Sequence, residues 1–265
     1  MIKDFKNNCS KKFSEKGYPS RQDENWKFTS SRKLAKFENE VNFDLKADNI
    51  ENDDNTLLFI NGVLDENSLD KFNYKDKLKV INIKELKNDV IFKFSDNFLN
   101  ESLFNLGIMH YKKGYYFKFD KNVFINEPVK IVNYNNASQD QSRIVSFNIF
   151  HVQSGSEISF IEKDINDGKS SFNLKLNKFF CDENSVLKCG KFFEGKENNH
   201  LLSYNYFTLK NNSILNIDGL NKESVFNKEF IEIDLEDKGS EVKINILNLG
   251  KSNDHLDNNI LINHN

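Results

Sequence analysis

Between Tyr115 and Leu249 the apolar positions of this chain fall into a repeat. With Glu127, Ser156, Ser185, Ser213 and Ser240 as markers, the intervals are 29, 29, 28 and 27 residues. Two residues after each marker stand Val129, Ile158, Leu187, Leu215 and Val242; four after stand Ile131, Phe160, Cys189, Ile217 and Ile244. Four markers share a local text: Gly155-Ser156-Glu157-Ile158, Asn184-Ser185-Val186-Leu187, Asn212-Ser213-Ile214-Leu215 and Gly239-Ser240-Glu241-Val242. Elsewhere in the same stretch Ile231, Ile233 and Leu235 alternate with Glu232, Asp234 and Glu236, the period-two mark of a strand with one buried face. A turn residue followed each time by a strand facing the same way predicts stacked rungs, because hairpins would not keep one register at this spacing. The expected fold is mainly β, a parallel β-helix: a single coil with rungs of about 28 residues.

The first hundred residues read differently. Ile2, Phe5, Cys9 and Phe13 lie on one face of a helix that Gly17 ends. A second helical register runs from Asp23 through Trp26, a packing anchor, to Leu34 and Phe37, with Asp23 or Ser20 as its cap. Residues 38–55 form a polar loop. Thr56–Ile60 is a strand that enters a hairpin at Asn61-Gly62 and returns through Val63-Leu64. Leu78 to Phe94 stays undivided between strand and helix, and Asn100-Glu101 to His110 reads as a short helix that ends near Gly114. The expected organisation is a helical or mixed region over 1–100 and a β-helix core over 101–265. The strand-like Asn259–Ile262 closes the sequence without a polar cap, so the last rung is expected to be covered by something else or to belong to an incomplete chain.

Composition narrows the partners. Thirty-seven basic and 40 acidic residues are well mixed, for a net charge of −3 over 265 residues, so no basic field points to nucleic acid or an anionic membrane. Three cysteines in no framework spacing argue against a disulfide-stapled domain. With no apolar leader at Met1–Lys6 and no run of about 18 apolar residues, a cytoplasmic protein without a membrane span is expected.

Candidate chemistry is sparse. Cys181 and Cys189 share columns of the repeat with apolar residues, and eight positions apart they miss zinc spacing. Both are assigned to the core, as is Cys9. The histidines, His110, His151, His200, His255 and His264, are scattered without a triad or metal pattern, and no phosphate-cradling glycine motif occurs. Glu162, Asp164, Glu232, Asp234 and Glu236 are the candidates for an external ladder of the kind glycosidic cleavage uses. As outward halves of alternating strands they read instead as a solvated face. No catalytic, cofactor-binding or metal residue is assigned.

The words that carry function are N-terminal. Gly17-Tyr18-Pro19-Ser20-Arg21-Gln22-Asp23-Glu24-Asn25-Trp26-Lys27-Phe28-Thr29 resembles the opening motif of the SufD scaffolds of iron–sulfur cluster assembly. Leu58–Val63, with its Asn-Gly turn, Glu127-Pro128-Val129-Lys130-Ile131, and Asp254-His255-Leu256-Asp257-Asn258 followed by His264 resemble further words of that family, in the family's order. The resemblance implies a right-handed parallel β-helix behind a helical N-terminal region. It also implies a non-enzymatic scaffold that works with SufB-like subunits and a SufC-like ATPase in a SufBCD complex. The cluster would be assembled by that complex, with no cofactor assigned to this chain. Family members run on beyond this point, through a Cys/His-containing segment and a helical domain that docks SufC. The sequence therefore resembles the N-terminal two-thirds of such a chain; contacts to partners may be lost with the rest, and no site residue is carried over. The alternatives are a carbohydrate-active or adhesive β-helix, or a binding module pairing through its open edge.

Overall fold

The computed structural model describes residues 2–42, 50, 53–86, 92–195, 199–251 and 253–264. In chain order come α1 (Ile2–Lys16), β1 (Asn39–Glu40), β2 (Thr56–Ile60), β3 (Val63–Leu64), α2 (Glu66–Lys71), β4 (Leu78–Asn82), α3 (Asp96–Asn100) and α4 (Ser102–His110). Then strands alone follow: β5 (Gly114–Phe119), β6 (Val129–Ala137), β7 (Ser142–Val152), β8 (Glu157–Gly168), β9 (Ser171–Cys181) and β10 (Val186–Glu194). The coil continues through β11 (Asn199–Leu209), β12 (Ile214–Lys222), β13 (Phe226–Leu235), β14 (Glu241–Leu249) and β15 (Leu256–His264).

The repeat is a β-solenoid of about five turns, and each turn holds two strands. Odd-numbered strands stack into one sheet in the order β15-β13-β11-β9-β7-β5, even-numbered strands into a second in the order β14-β12-β10-β8-β6, and neighbours within these runs are parallel. The marker columns hold through Ile158, Leu187, Leu215 and Val242. They fail at the first turn. Val129 pairs with Phe160, and Ile131 with Glu162, two residues out of the expected register. A shift of two leaves every side chain on its own face, so alternation could not detect it.

The corner explains both the signature and the error. Gly155, Asn184, Asn212 and Gly239, each just before a marker serine, have φ of 71°, 56°, 54° and 76°. Only glycine and asparagine adopt this left-handed region readily. Successive corners are laddered: Gly155 N–H donates to Glu183 O, Asn184 N–H to Asn211 O, and Asn212 N–H to Lys238 O. The first corner is Asn122, with φ of 55° and its N–H on Ser154 O. It is followed by Val123 in place of serine, which hid it among the neighbouring residues. Ser185 and Ser213 are buried, and each closes its turn through its own N–H and hydroxyl onto the carbonyl three residues back.

The N-terminal region caps and covers this coil. β2 adds in parallel to β6, and the Asn61-Gly62 turn, with φ of 48° and 81°, folds β3 back on it as expected. β4 adds antiparallel to β5, settling the first part of the undecided span; residues 87–91 lie outside the described residues. α4 packs on the outer face of the odd-strand sheet and α1 packs on α4, around a cluster that includes Trp26, Phe37, Phe104, Phe147, Leu174 and Tyr204. α1 matches its expected face, with Cys9 buried and Gly17 at its C-terminal stop. The second helical register is not a helix. Glu24–Trp26 and Ser31–Lys33 are single 3-10 turns, because Trp26, Ser31 and Leu34 are each drawn into the cover instead of keeping one helical face. Asp23 caps neither; its carboxylate accepts from Ser20 N–H at 2.7 Å.

Inside the coil, Phe117, Phe150, Phe179 and Phe207 stack in one column with ring centroids 4.9, 5.0 and 4.5 Å apart. Cys181 and Cys189 lie in this apolar core as assigned, and Cys9 is buried under the cover. Burial pushes the Cys9 and Cys189 thiols up to about 12 and raises Cys181 as well. The thiolate is the reactive form, so alkylation of all three in the folded chain should be slower than in the unfolded chain by roughly a hundredfold or more. Mass spectrometry of iodoacetamide-treated protein measures this, and rapid labelling of Cys181 or Cys189 would contradict their core placement.

Candidate functional site

The coil interior is not uniformly apolar. Each even strand runs outward from a Gly/Asn-Ser corner and each odd strand returns to the next one, so the halves nearest those corners face each other as the apolar core. The opposite halves face each other too, and beside the buried Phe193 and Leu201 they carry inward polar residues: Asn133 and Asn135 on β6, Glu162, Asp164 and Asn166 on β8, Lys191 on β10, Asn148 on β7, Asn173, Lys175 and Asn177 on β9, Asn205 on β11 and Glu229 on β13. In-register stacking turns like residues into columns, as with Asn148, Asn177 and Asn205.

Five charges lie along this polar half. Lys175 Nζ is 2.5 Å from Asp164 Oδ2 and 2.7 Å from Glu162 Oε1, with the lysine side chain 8% and the aspartate 3% exposed. Lys191 pairs with Glu229, which also accepts from Asn205 Nδ2 at 2.9 Å. Asn133 Nδ2 donates to Glu162 at 2.8 Å. A cavity of about 30 Å³ lies between the two lysine pairs, lined in part by Asn177, Ser203 and Asn227. Toward the last rung the network continues from Glu229 to Asn258 (3.3 Å), then to Asn248 (2.7 Å) and Asn221 (2.8 Å). The buried atoms Asn148 Oδ1, Asn166 Nδ2 and Asn173 Oδ1 have no hydrogen-bond partner among the described residues.

Electrostatics sort these groups. Burial raises both lysines' cost of charge, but Asp164 and Glu162 lift Lys175 and Glu229 and Glu162 lift Lys191, so both stay cationic. Burial would raise Glu162 too, yet Lys175 and Lys191 hold it below the usual carboxylate range. Asp164 goes the other way: burial raises it, Lys175 only partly offsets this, and the Glu162 charge adds to the rise. Glu162 and Asp164, two carboxylates sharing one ammonium, are thus pushed in opposite directions.

Two sequence expectations are corrected here. Glu162 and Asp164 do not form a solvated face; they point into the coil. Glu232, on an outward position, is 2% exposed because the cover lies over it, and it accepts from Ser95 Oγ at 2.6 Å and Asn97 Nδ2 at 3.3 Å. Asp234 accepts from Tyr206 and Asn263, while Glu236 is exposed as expected. Lys175, Lys191 and Glu229 were missed. The available signal was asparagine at 148, 177 and 205, polar residues on inward positions at the period of the repeat.

The histidines stay apart. His151 bridges Tyr116 OH (2.6 Å) and Asp182 (2.8 Å), His200 is buried against Phe37 and its pKa is pushed down to about 4 by burial, and His255 contacts Thr29. His110 and His264 are exposed. Beneath the cover Lys178 is 2% exposed, ringed by Phe94, Phe180 and Tyr206 at 5.0, 4.5 and 5.2 Å, and it donates to Lys93 O.

The described residues thus form a covered two-sheet coil with a charged interior. Residues 134–265 match the model of the family described as "SUF system FeS cluster assembly, SufBD core domain". That match supports the SufB/SufD family and a role in iron–sulfur cluster assembly, and it is common to SufB and SufD. No curated protein matches the chain.

Removing one partner of the buried column strands the others. Lys175→Met leaves Glu162 and Asp164 without their shared cation and should cost about 3–5 kcal/mol, whereas adding Glu162→Gln and Asp164→Asn should recover most of it. Urea unfolding of the two variants measures the difference. Lys178 gives a pH dependence. Burial lowers its pKa from 10.5 to about 7, against the weaker pull of Glu236 and Asp234 and with Lys93 adding to the fall. The folded state therefore holds fewer protons than the unfolded one between those values, and stability rises with pH from about 7 upward, by roughly 1.4 kcal/mol per unit for this group. Lys178→Met should flatten that rise in denaturation curves taken from pH 7 to 10.

Proposed function

We propose that this chain is a SufD-like, non-catalytic scaffold subunit of a SufBCD-type complex, working in the cytoplasm with SufB-like and SufC-like ATPase partners. The cluster is the cargo of the complex. The observation that carries the reading is a convergence. The Gly17–Thr29 and Asp254–Asn258 segments each resemble SufD words, and they meet in space through Thr29, His255 and Asp257. Words that pack together in one place have a physical reason to occur together. The match over residues 134–265 is consistent with this reading.

The carbohydrate-active alternative loses its main support, because Asp164 and Glu232 are buried and Glu162 is only partly exposed and paired with Lys175, so these carboxylates form no exposed ladder. Tagged full-length gene product should co-purify with SufB and SufC of the same source. Association with neither rejects the assignment.

A further inference from the structure

The last rung is held from one side only by backbone. Among the described residues β15 pairs with β13 alone and β14 with β12 alone, and strands at a sheet edge are the first to open. A second set of contacts reaches β15 from the other end of the chain. Thr29 Oγ1 donates to Asp257 Oδ2 at 2.6 Å and sits 3.0 Å from His255 Nε2. With the hydroxyl's single hydrogen on Asp257, the second contact is His255 Nε2–H donating to Thr29. Asn259 Nδ2 donates to Asn25 Oδ1 at 2.9 Å.

Between these contacts Lys228, on β13, inserts its ammonium. It lies 2.5 Å from Asp257, 5.3 Å from the Trp26 ring and 4.8 Å from the Phe230 ring, with its side chain 1% exposed. Burial would raise the Asp257 pKa, but Lys228 and Thr29 outweigh it and hold the carboxyl below its usual range. The other side of the segment is tied to the cover: Trp26 Nε1 and Asn25 Nδ2 donate to the two oxygens of Glu101, at 3.0 and 2.8 Å, at the start of α4. Residues 25–29 thus touch both the helical cover and the end strand, with no long helix or strand of their own to hold them.

We propose that residues 25–29 are a clip that couples the N-terminal cover to the coil's last rung. The clip seats fully only on a β15 laid down in register, because Asp257 and Asn259 are outward neighbours on that strand. In return β15 keeps its register at the coil's edge only while the clip is seated. Coupling of this kind is reciprocal. Phe28, 84% exposed between the anchored Trp26 and Thr29, is displayed or released with it.

The single tryptophan, Trp26, makes the clip directly observable. Asp257→Asn, which changes no residue of the clip, should shift Trp26 emission to the red and raise acrylamide quenching about two- to fivefold. Thr29→Val, which changes no residue of the rung, should speed hydrogen exchange of the Leu256–His264 amides by about tenfold or more, leaving β7 and β9 unchanged. The double variant should add little to either single one. Asn25→Ala, which removes the exposed contacts to both Asn259 and Glu101 but leaves the Asp257 pair, should move both readouts the same way by less. Unaltered Trp26 emission in Asp257→Asn, unaltered β15 exchange in Thr29→Val, or exchange that rises equally in β7 and β9 would each overturn the clip.

Discussion

Parallel, in-register stacking is the constraint from which the other features follow. Once a rung repeats about every 28 residues, each position lies directly above its counterpart, and a side chain's nearest neighbours are its column mates roughly 4.8 Å away. Apolar columns then become stacks, as with Phe150, Phe179 and Phe207. Charged residues admitted to the interior must find partners along or across columns, and Lys175 and Lys191 do so between Glu162, Asp164 and Glu229. The same stacking fixes the corners that precede the even strands, where glycine or asparagine takes the left-handed backbone and each corner is bonded to the next.

A coil also has ends and outer faces, and the N-terminal region is shaped by them. It caps the first rung with β2 and β4, buries the outer face of one sheet under α1 and α4, and reaches the last rung through Thr29. This explains why outward positions of β13 read as solvated yet are not. Glu232 lies beneath α3 with Ser95 and Asn97 on its carboxylate. It also places Lys178 in an aromatic box where charge is costly.

The same frame puts the chain's reactive side chains into structural contacts. The ionisable groups inside the coil are each matched to a partner, the thiols are sunk in apolar columns, and the histidines are dispersed at separate structural contacts.

The sequence by itself determined the coil: its period, its corner residues, the core placement of Cys181 and Cys189, the first helix and the Asn61-Gly62 hairpin, since each is a local rule repeated or a short turn code. Tertiary structure alone decided the rest. The register of the first turn slipped by two because alternation is blind to even shifts. The supposed helix beyond Asp23 broke into turns because Trp26 and Thr29 are held by residues more than seventy positions away. The acidic residues changed from solvated to buried because burial depends on what covers a face, and neither the cover over Glu232 nor the opposing strand facing Asp164 is written near those residues in the chain.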